Sequence, residues 1–87
     1  MNIHVSNLSL NVIDADIRRL FSAYGEVLSA SIIRDKLNGR SKGLAIIDMV
    51  NDSQARQAIL CLDQTEVDGR AIAVSEIKYS PGGYKSL

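Results

Sequence analysis

Alternating apolar and polar residues mark the start of this chain. Within residues 2–8, NIHVSNL, the apolar Ile3 and Val5 alternate with the polar His4 and Ser6. A period of two is typical of a β-strand that buries one face and exposes the other. The pattern therefore predicts a first strand whose inward side chains join a core and whose outward side chains remain available for contacts.

Three later segments also have the composition of strands. They combine β-branched and small apolar residues, and two of them are bounded by Asn-Gly or Asp-Gly pairs, which favour turns. Residues 35–42 predict a loop of this kind before one of the strands. The predicted strands are residues 27–34, 44–50 and 71–77. Alternation places one set of their side chains in the core, namely Ala45, Ile47, Met49, Ile72 and Val74.

Two segments have helical spacing instead. Apolar residues in the segment 13–24 recur at offsets of four, seven, eight and eleven, which forms one stripe along a helix. Asn51 or Asp52 can cap a second helix that runs to about Leu62. The element order is then β-α-β-β-α-β, which predicts an α+β, ferredoxin-like split fold. Its four-stranded antiparallel sheet carries both helices on one face and leaves the other face open.

Composition limits the kinds of function that this domain can have. The 87 residues suffice for one core, and a content of 46% hydrophobic and 23% charged residues is typical of a soluble protein rather than a membrane protein. One cysteine and one histidine exclude an internal disulfide and a Cys/His zinc site. No readable set of nucleophile, base and orienting group indicates an enzyme, and we expect no cofactor. Without an export signal, we expect a cytoplasmic protein, or a nuclear one in a eukaryote.

Five segments in order resemble the RNA recognition motif family over nearly the whole chain. The sequence IHVSNL is similar to the short ribonucleoprotein box of that family, and KGLAIIDM is similar to its long box. The segments LFSAYGEV, RDKLNGRSKG and TEVDGRAIAV resemble the family's helix end, loop and last hairpin. The proline and two adjacent glycines of residues 79–87 predict a flexible tail, and the resemblance implies an RNA-binding domain over residues 1–78. It also implies a complete single-domain protein.

In the resembling family, aromatic rings of the two boxes stack on unpaired bases. The matching positions here are His4, Leu44 and Ile46, so only the imidazole of His4 offers a ring. Four cations against Asp35 give residues 34–42 a local charge of +3, which suits phosphate contacts despite a net charge of zero. The resemblance also implies a base contact near Tyr79. The predicted RNA-binding residues are His4, Ser6, Asn7, Arg34, Lys36, Arg40, Lys42, Leu44, Ile46, Ser75, Lys78 and Tyr79.

A different interpretation of the aliphatic side chains is left open. Leu44, Ile46 and Ile33 would form an apolar patch on an open sheet face, and such patches mark protein contacts. The expected partner is single-stranded RNA, with single-stranded DNA as a further ligand of the same surface. The alternative is a protein partner or a homodimer formed through the patch.

Overall fold

The strands and helices form in the predicted order. The computed structural model describes residues 1–78, and the structural statements below concern that range. Two additional short strands, β4 and β5, lie between the second helix and the last strand. In chain order the elements are β1 Asn2–Ser6, α1 Asp14–Ser22, β2 Val27–Arg34, β3 Ser41–Met49, α2 Asp52–Leu62, β4 Glu66–Val67, β5 Arg70–Ala71 and β6 Ala73–Ile77.

Four of the strands form one antiparallel sheet in the order β2-β3-β1-β6. The two strands that carry the ribonucleoprotein-like segments, β1 and β3, are therefore neighbours at its centre. Their side chains alternate strictly between the two faces, with Ile3, Val5 and Ala45 fully buried and His4 and Ile46 partly exposed. The predicted α+β architecture is confirmed.

Both helices begin at side chains that satisfy free backbone N–H groups. The side chain of Asn51 accepts a hydrogen bond from the backbone N–H of Gln54 at 2.9 Å, which caps α2 as predicted. At α1, the backbone N–H of Ile13 donates to the carboxylate of Asp16 at 3.1 Å. Neither helix within residues 1–78 is long and apolar enough to cross a membrane.

The core lies between the helices and one face of the sheet. From α1, Ile17 and Phe21 are fully buried, whereas α2 contributes the small Ala55 and Ala58. Small side chains let the α2 backbone approach the sheet closely. Replacing a buried aromatic ring such as that of Phe21 by alanine typically costs about 3–5 kcal/mol, so this layer supplies a large share of the stability.

Side chains from the helical layer and its connections cover the outer edges of the sheet. On β2, the backbone N–H of Ile32 donates to the carboxylate of Asp14 at 2.8 Å, and Arg18 donates to the carbonyl of Val27 at 3.2 Å. On β6, the N–H of Val74 donates to Asp63 at 2.8 Å. Bonded edge groups are less available for pairing with another strand. The open face is consequently the main surface that the sheet offers to a ligand.

Three predicted strand boundaries were wrong. The first strand ends at Ser6 because Asn7 adopts a left-handed backbone with φ of 60°. The third strand starts earlier than predicted, at Ser41, so Lys42 belongs to β3 rather than to the loop. The predicted strand 71–77 is interrupted at Ile72, whose N–H donates to the carbonyl of Thr65 at 3.0 Å instead of to a sheet neighbour.

A bulge near the start of β3 requires a glycine. The pairing of β3 with β2 jumps from Leu44–Ile33 to Ser41–Arg34, and Gly43 within this jump has φ of 75°. The carbonyl of Gly43 accepts a hydrogen bond from the N–H of Leu8 at 3.0 Å. A Cβ at Gly43 would lie 3.1 Å from the carbonyl oxygen of Leu8. Both the backbone conformation and the close approach of the next segment therefore favour glycine here.

Two glycine substitutions separate these effects. Gly39 has a similar φ of 72° but open space around it. We expect Gly39→Ala to lower the free energy of unfolding by about 1 kcal/mol through left-handed strain alone. Gly43→Ala should cost about 2–3 kcal/mol, because the contact with Leu8 adds to the same strain. Urea unfolding followed by circular dichroism measures both values, and equal losses would show that the Leu8 contact relaxes without cost.

Candidate nucleic-acid interface

One row of side chains crosses the middle of the open face. The registers pair His4 of β1 with Ile46 of β3 and with Ser75 of β6, while Ile46 also pairs with Ser31 of β2. The four side chains therefore lie side by side across the sheet in the order Ser31, Ile46, His4, Ser75. His4 is partly exposed and lies between an aliphatic side chain and a hydroxyl group. An imidazole in this position can stack on a flat ligand or exchange a hydrogen bond with it.

A second row lies next to the first, toward the end of the sheet where β2 turns into β3. Leu44 pairs with Ile33, and Ser6 pairs with Ala73. We call Ile33, Leu44 and Ile46 the aliphatic patch; all three side chains are half-buried. The sequence places these residues on the same face, and the register makes Leu44 and Ile33 direct neighbours. The patch and His4 form a continuous surface for an apolar or planar ligand.

A shallow groove of about 500 Å³ follows this surface toward β6. It includes two residues that sequence reasoning missed, Glu76 and Ile77. Glu76 pairs with the buried Ile3, which places its side chain on the helix side of the sheet, and there it also lines a cavity with the α2 residues Arg56, Ile59 and Leu60. The lining residues are His4, Ile33, Ile46, Ser75, Glu76, Ile77 and Lys78. The groove thus combines apolar side chains with a hydroxyl and an ammonium group at one side.

The predicted cations gather at one end of the sheet. Arg34 ends β2, Lys36 and Arg40 lie in the connection to β3, and Lys42 lies near the start of β3. All four side chains are exposed. The one acid of this segment, Asp35, is engaged by its own loop, since its carboxylate accepts the backbone N–H of Leu37 at 2.7 Å. The net result is an exposed basic segment beside the aliphatic patch. We call residues 34–42 the basic loop, although Arg34 ends β2 and the last two residues belong to β3.

The remaining predicted contacts lie elsewhere. Lys78 is exposed and follows β6, so it lies at the opposite end of the sheet from the basic loop. It can meet a ligand in the groove, but it does not belong to the same charged cluster. Tyr79 lies outside the described residues, as does the whole predicted tail 79–87.

Asn7 forms two hydrogen bonds with the β4–β5 hairpin. Its side-chain Nδ2 donates to the carbonyl of Ala71 at 2.8 Å, and its Oδ1 accepts from Arg70 at 2.8 Å. A parallel bond joins Ser9 to the carboxylate of Asp68 at 2.6 Å. We call these three bonds the hairpin latch. The latch holds the end of β1 against the segment that enters β6, and so it fixes the two strands on which His4 and Ser75 lie.

One perturbed hydroxyl lies on the helical layer rather than on the open face. Burial raises the pKa of Tyr24, and the neighbouring Cys61 raises this pKa further through its charge and a hydrogen bond. This fits a structural contact between the end of α1 and α2. Among residues 1–78, no three His, Cys, Asp or Glu side chains are grouped so that they could hold a metal ion.

Comparison with known proteins identifies relatives of this arrangement. Residues 3–73 match the family model described as the RNA recognition motif. The chain is 39% identical over 79 residues to the chloroplastic RNA-binding protein CP29B of Arabidopsis thaliana, covering 91% of this chain but 27% of that protein. It is 38% identical over 78 residues to RbpD of Nostoc sp., covering 90% of this chain and 83% of RbpD.

A solved structure gives a similar result. The crystal structure of RNA Binding Protein PG1 superimposes with a TM-score of 0.89 at 40% identity, covering 93% of this chain and 98% of that one. By contrast, the chain spans 34% of the 28 kDa chloroplastic ribonucleoprotein of Spinacia oleracea. Some relatives therefore have about the length of this chain, whereas others are several times longer.

The hairpin latch generates a stability prediction. Asn7→Ala removes both side-chain bonds and a residue type that tolerates positive φ, so it should lower the free energy of unfolding by about 2–3 kcal/mol. Arg70→Ala removes one exposed bond and should cost about 1 kcal/mol or less. Asn11→Ala, an exposed asparagine of the same β1–α1 connection, is the control and should be neutral. Chemical denaturation measures all three, and a neutral Asn7→Ala would contradict the latch.

Proposed function

The chain belongs to the RNA recognition motif family, and from this premise we propose that the open sheet face holds single-stranded RNA. It is a non-catalytic RNA-binding module. The observation that carries the proposed site is the row Ser31, Ile46, His4, Ser75 with the basic loop at one end of the same face. Unpaired bases need flat or apolar contacts, and the phosphates between them need cations, and this face offers both.

His4 is the proposed stacking residue. A base on its imidazole would contact Ile46 on one side and the hydroxyl of Ser75 on the other, because both are its cross-strand neighbours. Ile46 and Leu44 add van der Waals contact but no ring. Stacking on an aromatic side chain is worth about 1–3 kcal/mol per base, so we expect weaker binding than a surface with three rings would give.

The other proposed contacts are polar. Arg34, Lys36, Arg40 and Lys42 are placed to meet phosphates at the loop end, and Lys78 at the far end of the groove. Ser6 and Ser75 offer hydroxyl groups. Asn7 is the least available of the predicted contacts, since its amide is already engaged by Arg70 and Ala71. Single-stranded DNA presents the same phosphates and similar bases and is a second proposed ligand. A contact by Tyr79 stays a prediction.

Chemical-shift perturbation with short RNA pools tests the site directly. Amide signals of β1 and β3 around His4 and Leu44, and that of Lys42 in the basic loop, should shift on titration, while those of α2 should not. The apparent affinity should fall as salt is raised, with a shallow slope because only a few cations contact phosphate. Unchanged spectra up to millimolar RNA would remove the proposal.

Side-chain substitutions give a sharper test of the surface formed by His4 and the aliphatic patch, which we call the floor. Ile46→Phe should tighten single-stranded RNA binding by about 5- to 100-fold, the equivalent of one added stacking platform. His4→Ala should weaken binding by at least several-fold. Leu60→Phe adds the same ring at an exposed position on α2 and should change nothing. Fluorescence anisotropy with labelled RNA measures all three variants. An effect of Leu60→Phe as large as that of Ile46→Phe would show that the gain is nonspecific.

Self-association is the second candidate function, and the aliphatic patch favours it. Ile33, Leu44 and Ile46 are contiguous and half-buried on a face that no other part of residues 1–78 covers as a layer. Two copies, or a copy and a partner protein, could bury such patches against each other.

Sedimentation velocity separates this candidate from RNA binding alone. If copies meet through the patch, the wild type should sediment as a concentration-dependent dimer, and Leu44→Lys should sediment as a monomer because the dimer would bury two ammonium groups. Lys42→Leu is a useful counterpart, since it enlarges the apolar area and should strengthen association. A wild type that is already monomeric at high concentration contradicts the candidate.

Two further proposals concern context. We propose that the domain ends at about Lys78 and that residues 79–87 form a separate segment, as the sequence predicts. The family match covers residues 3–73 and so lies inside the proposed domain. We also propose that the protein acts in a reducing compartment, the cytoplasm or, in a eukaryote, the nucleus. The single cysteine, Cys61, is exposed and has no disulfide partner in the chain, which supports this proposal.

A further inference from the structure

A polar row of side chains crosses the open face on the side of His4 that is farther from the basic loop. The registers pair Asp48 of β3 with Asn2 of β1 and with Ser29 of β2, and they pair Asn2 with Ile77 of β6. We call Ser29, Asp48, Asn2 and Ile77 the third row. Ile77 also lines the groove that contains His4, so the groove reaches this row.

The third row is continuous with the floor. Asn2 lies two residues before His4 on β1, and Asp48 lies two residues after Ile46 on β3. Alternate residues of a strand share one face and are about 7 Å apart. The side chains of Asn2 and Asp48 therefore lie beside the two floor residues at the centre of the sheet, and both are partly exposed.

The carboxylate of Asp48 is available as a hydrogen-bond acceptor. Its side chain is 36% exposed, and the N-terminal ammonium lies 3.5 Å from its Oδ1. The same ammonium donates to the carbonyl of Met49 at the shorter distance of 2.9 Å. Within residues 1–78, no other group donates to this carboxylate. Since a carboxylate can accept about four hydrogen bonds, Oδ2 and part of Oδ1 can accept from a ligand.

The position of the cations indicates how a base on the floor would point. Phosphates that contact the basic loop would place the sugar–phosphate backbone at the end of the sheet beyond Leu44. A base that stacks on His4 would then extend from that end toward Asn2 and Asp48. The edge of the base farthest from the sugar, its Watson–Crick edge, would meet the third row. The two fused rings of a purine span the distance better than the single ring of a pyrimidine.

The side chains of Asn2 and Asp48 complement the Watson–Crick edge of guanine. This edge presents two adjacent donors, N1–H and the 2-amino group, beside the acceptor O6. A carboxylate offers only acceptors, and an asparagine amide offers a donor, so Asp48 suits the two donors and Asn2 suits O6. The two residues are direct cross-strand neighbours and can contact one base together. Adenine presents an acceptor at N1, which would face a carboxylate oxygen.

We propose that Asp48 and Asn2 recognise the Watson–Crick edge of an unpaired guanine whose ring stacks on His4. This inference rests on the proposed single-strand binding by the sheet face, and it specifies the base that this face prefers. It also gives a role to a carboxylate that is poorly suited to phosphate. Hydrogen bonds from the base to the charged Asp48 would be stronger than those to a neutral acceptor.

Short unpaired RNAs that differ at one base test the recognition. The first has a single guanosine among uridines, and the others have adenosine or inosine in its place. Inosine keeps the N1–H donor and O6 but lacks the 2-amino group. The wild type should bind the guanosine RNA about tenfold more tightly than the adenosine RNA, as expected for one bidentate contact, with the inosine RNA between them. Fluorescence anisotropy measures the three affinities.

Two matched variants separate base recognition from charge. Asp48→Asn keeps the shape of the side chain but replaces one acceptor oxygen by a donor, so it should bind the guanosine and adenosine RNAs about equally. Its affinity for the adenosine RNA should not fall. Asp52→Asn is the control, because Asp52 lies 3.6 Å from the same N-terminal ammonium but belongs to α2. It should keep the wild-type preference for guanosine. Circular dichroism checks that both variants fold.

The outcomes distinguish this inference from the proposed function. If the wild type binds all three RNAs equally, or if Asp48→Asn keeps the preference for guanosine, recognition by Asp48 is overturned while binding by the sheet face stands. An equal loss of preference in Asp52→Asn would also overturn it, since the effect would then follow the charge and not the position. If none of the RNAs binds, the proposed function itself fails. A carboxylate used for a basic side chain of a protein partner would give the first of these results.

Discussion

The strict alternation of side chains along residues 44–49 of β3 is the constraint on which both faces of the sheet depend. This strand is paired on both sides, with β1 and with β2, so its register is fixed twice. Ala45, Ile47 and Met49 are fully buried as a result, and Leu44 and Ile46 are held on the open face. A slip by one residue would exchange the two sets. The core therefore determines where the floor residues lie, and the floor cannot rearrange without unfolding.

The register of β3 fixes where the floor residues lie, but the side chains at those positions determine which contacts the floor can make with a ligand. A floor of one imidazole and three aliphatic groups makes contacts that depend on area more than on orientation, since aliphatic carbon has no preferred stacking geometry. Discrimination between bases would then come from polar groups at the side of the groove, such as Ser75 and Lys78.

Periodicity predicted the faces of the strands well, and it failed where distant segments meet. The outward positions of His4, Leu44 and Ile46, and the Asn51 cap of α2, follow from local pattern alone. The resemblance implied a hairpin in the segment of β4 and β5, but the latch was not predicted, because Asn7 meets Arg70 and Ala71 more than 60 residues along the chain. From the sequence, Asn7 could be recognised only as a polar residue, and the segment that it contacts could be recognised only as a turn.

The bulge at Gly43 was missed for a similar reason. It depends on the carbonyl of Gly43 accepting from Leu8, and this contact exists only once β1 and β3 are adjacent. The bulge places Lys42 outside regular pairing, so strand alternation could not give the direction of its side chain. Near such a bulge, the sequence predicts the charge of a side chain but not the direction in which that side chain points.

A net charge of zero is compatible with binding a polyanion because the charges are separated. The cations of the basic loop lie at one end of the sheet, while Glu26, Asp48 and Asp52 lie toward the other, where the N-terminal ammonium lies 3.5 Å from Asp48 and 3.6 Å from Asp52. The nine residues of β3 extend over about 26 Å. Salt at about 0.1 M screens exposed charges beyond about 10 Å, so each end acts on a ligand almost independently. A phosphate near the basic loop would therefore experience a local charge of +3 rather than the molecular total.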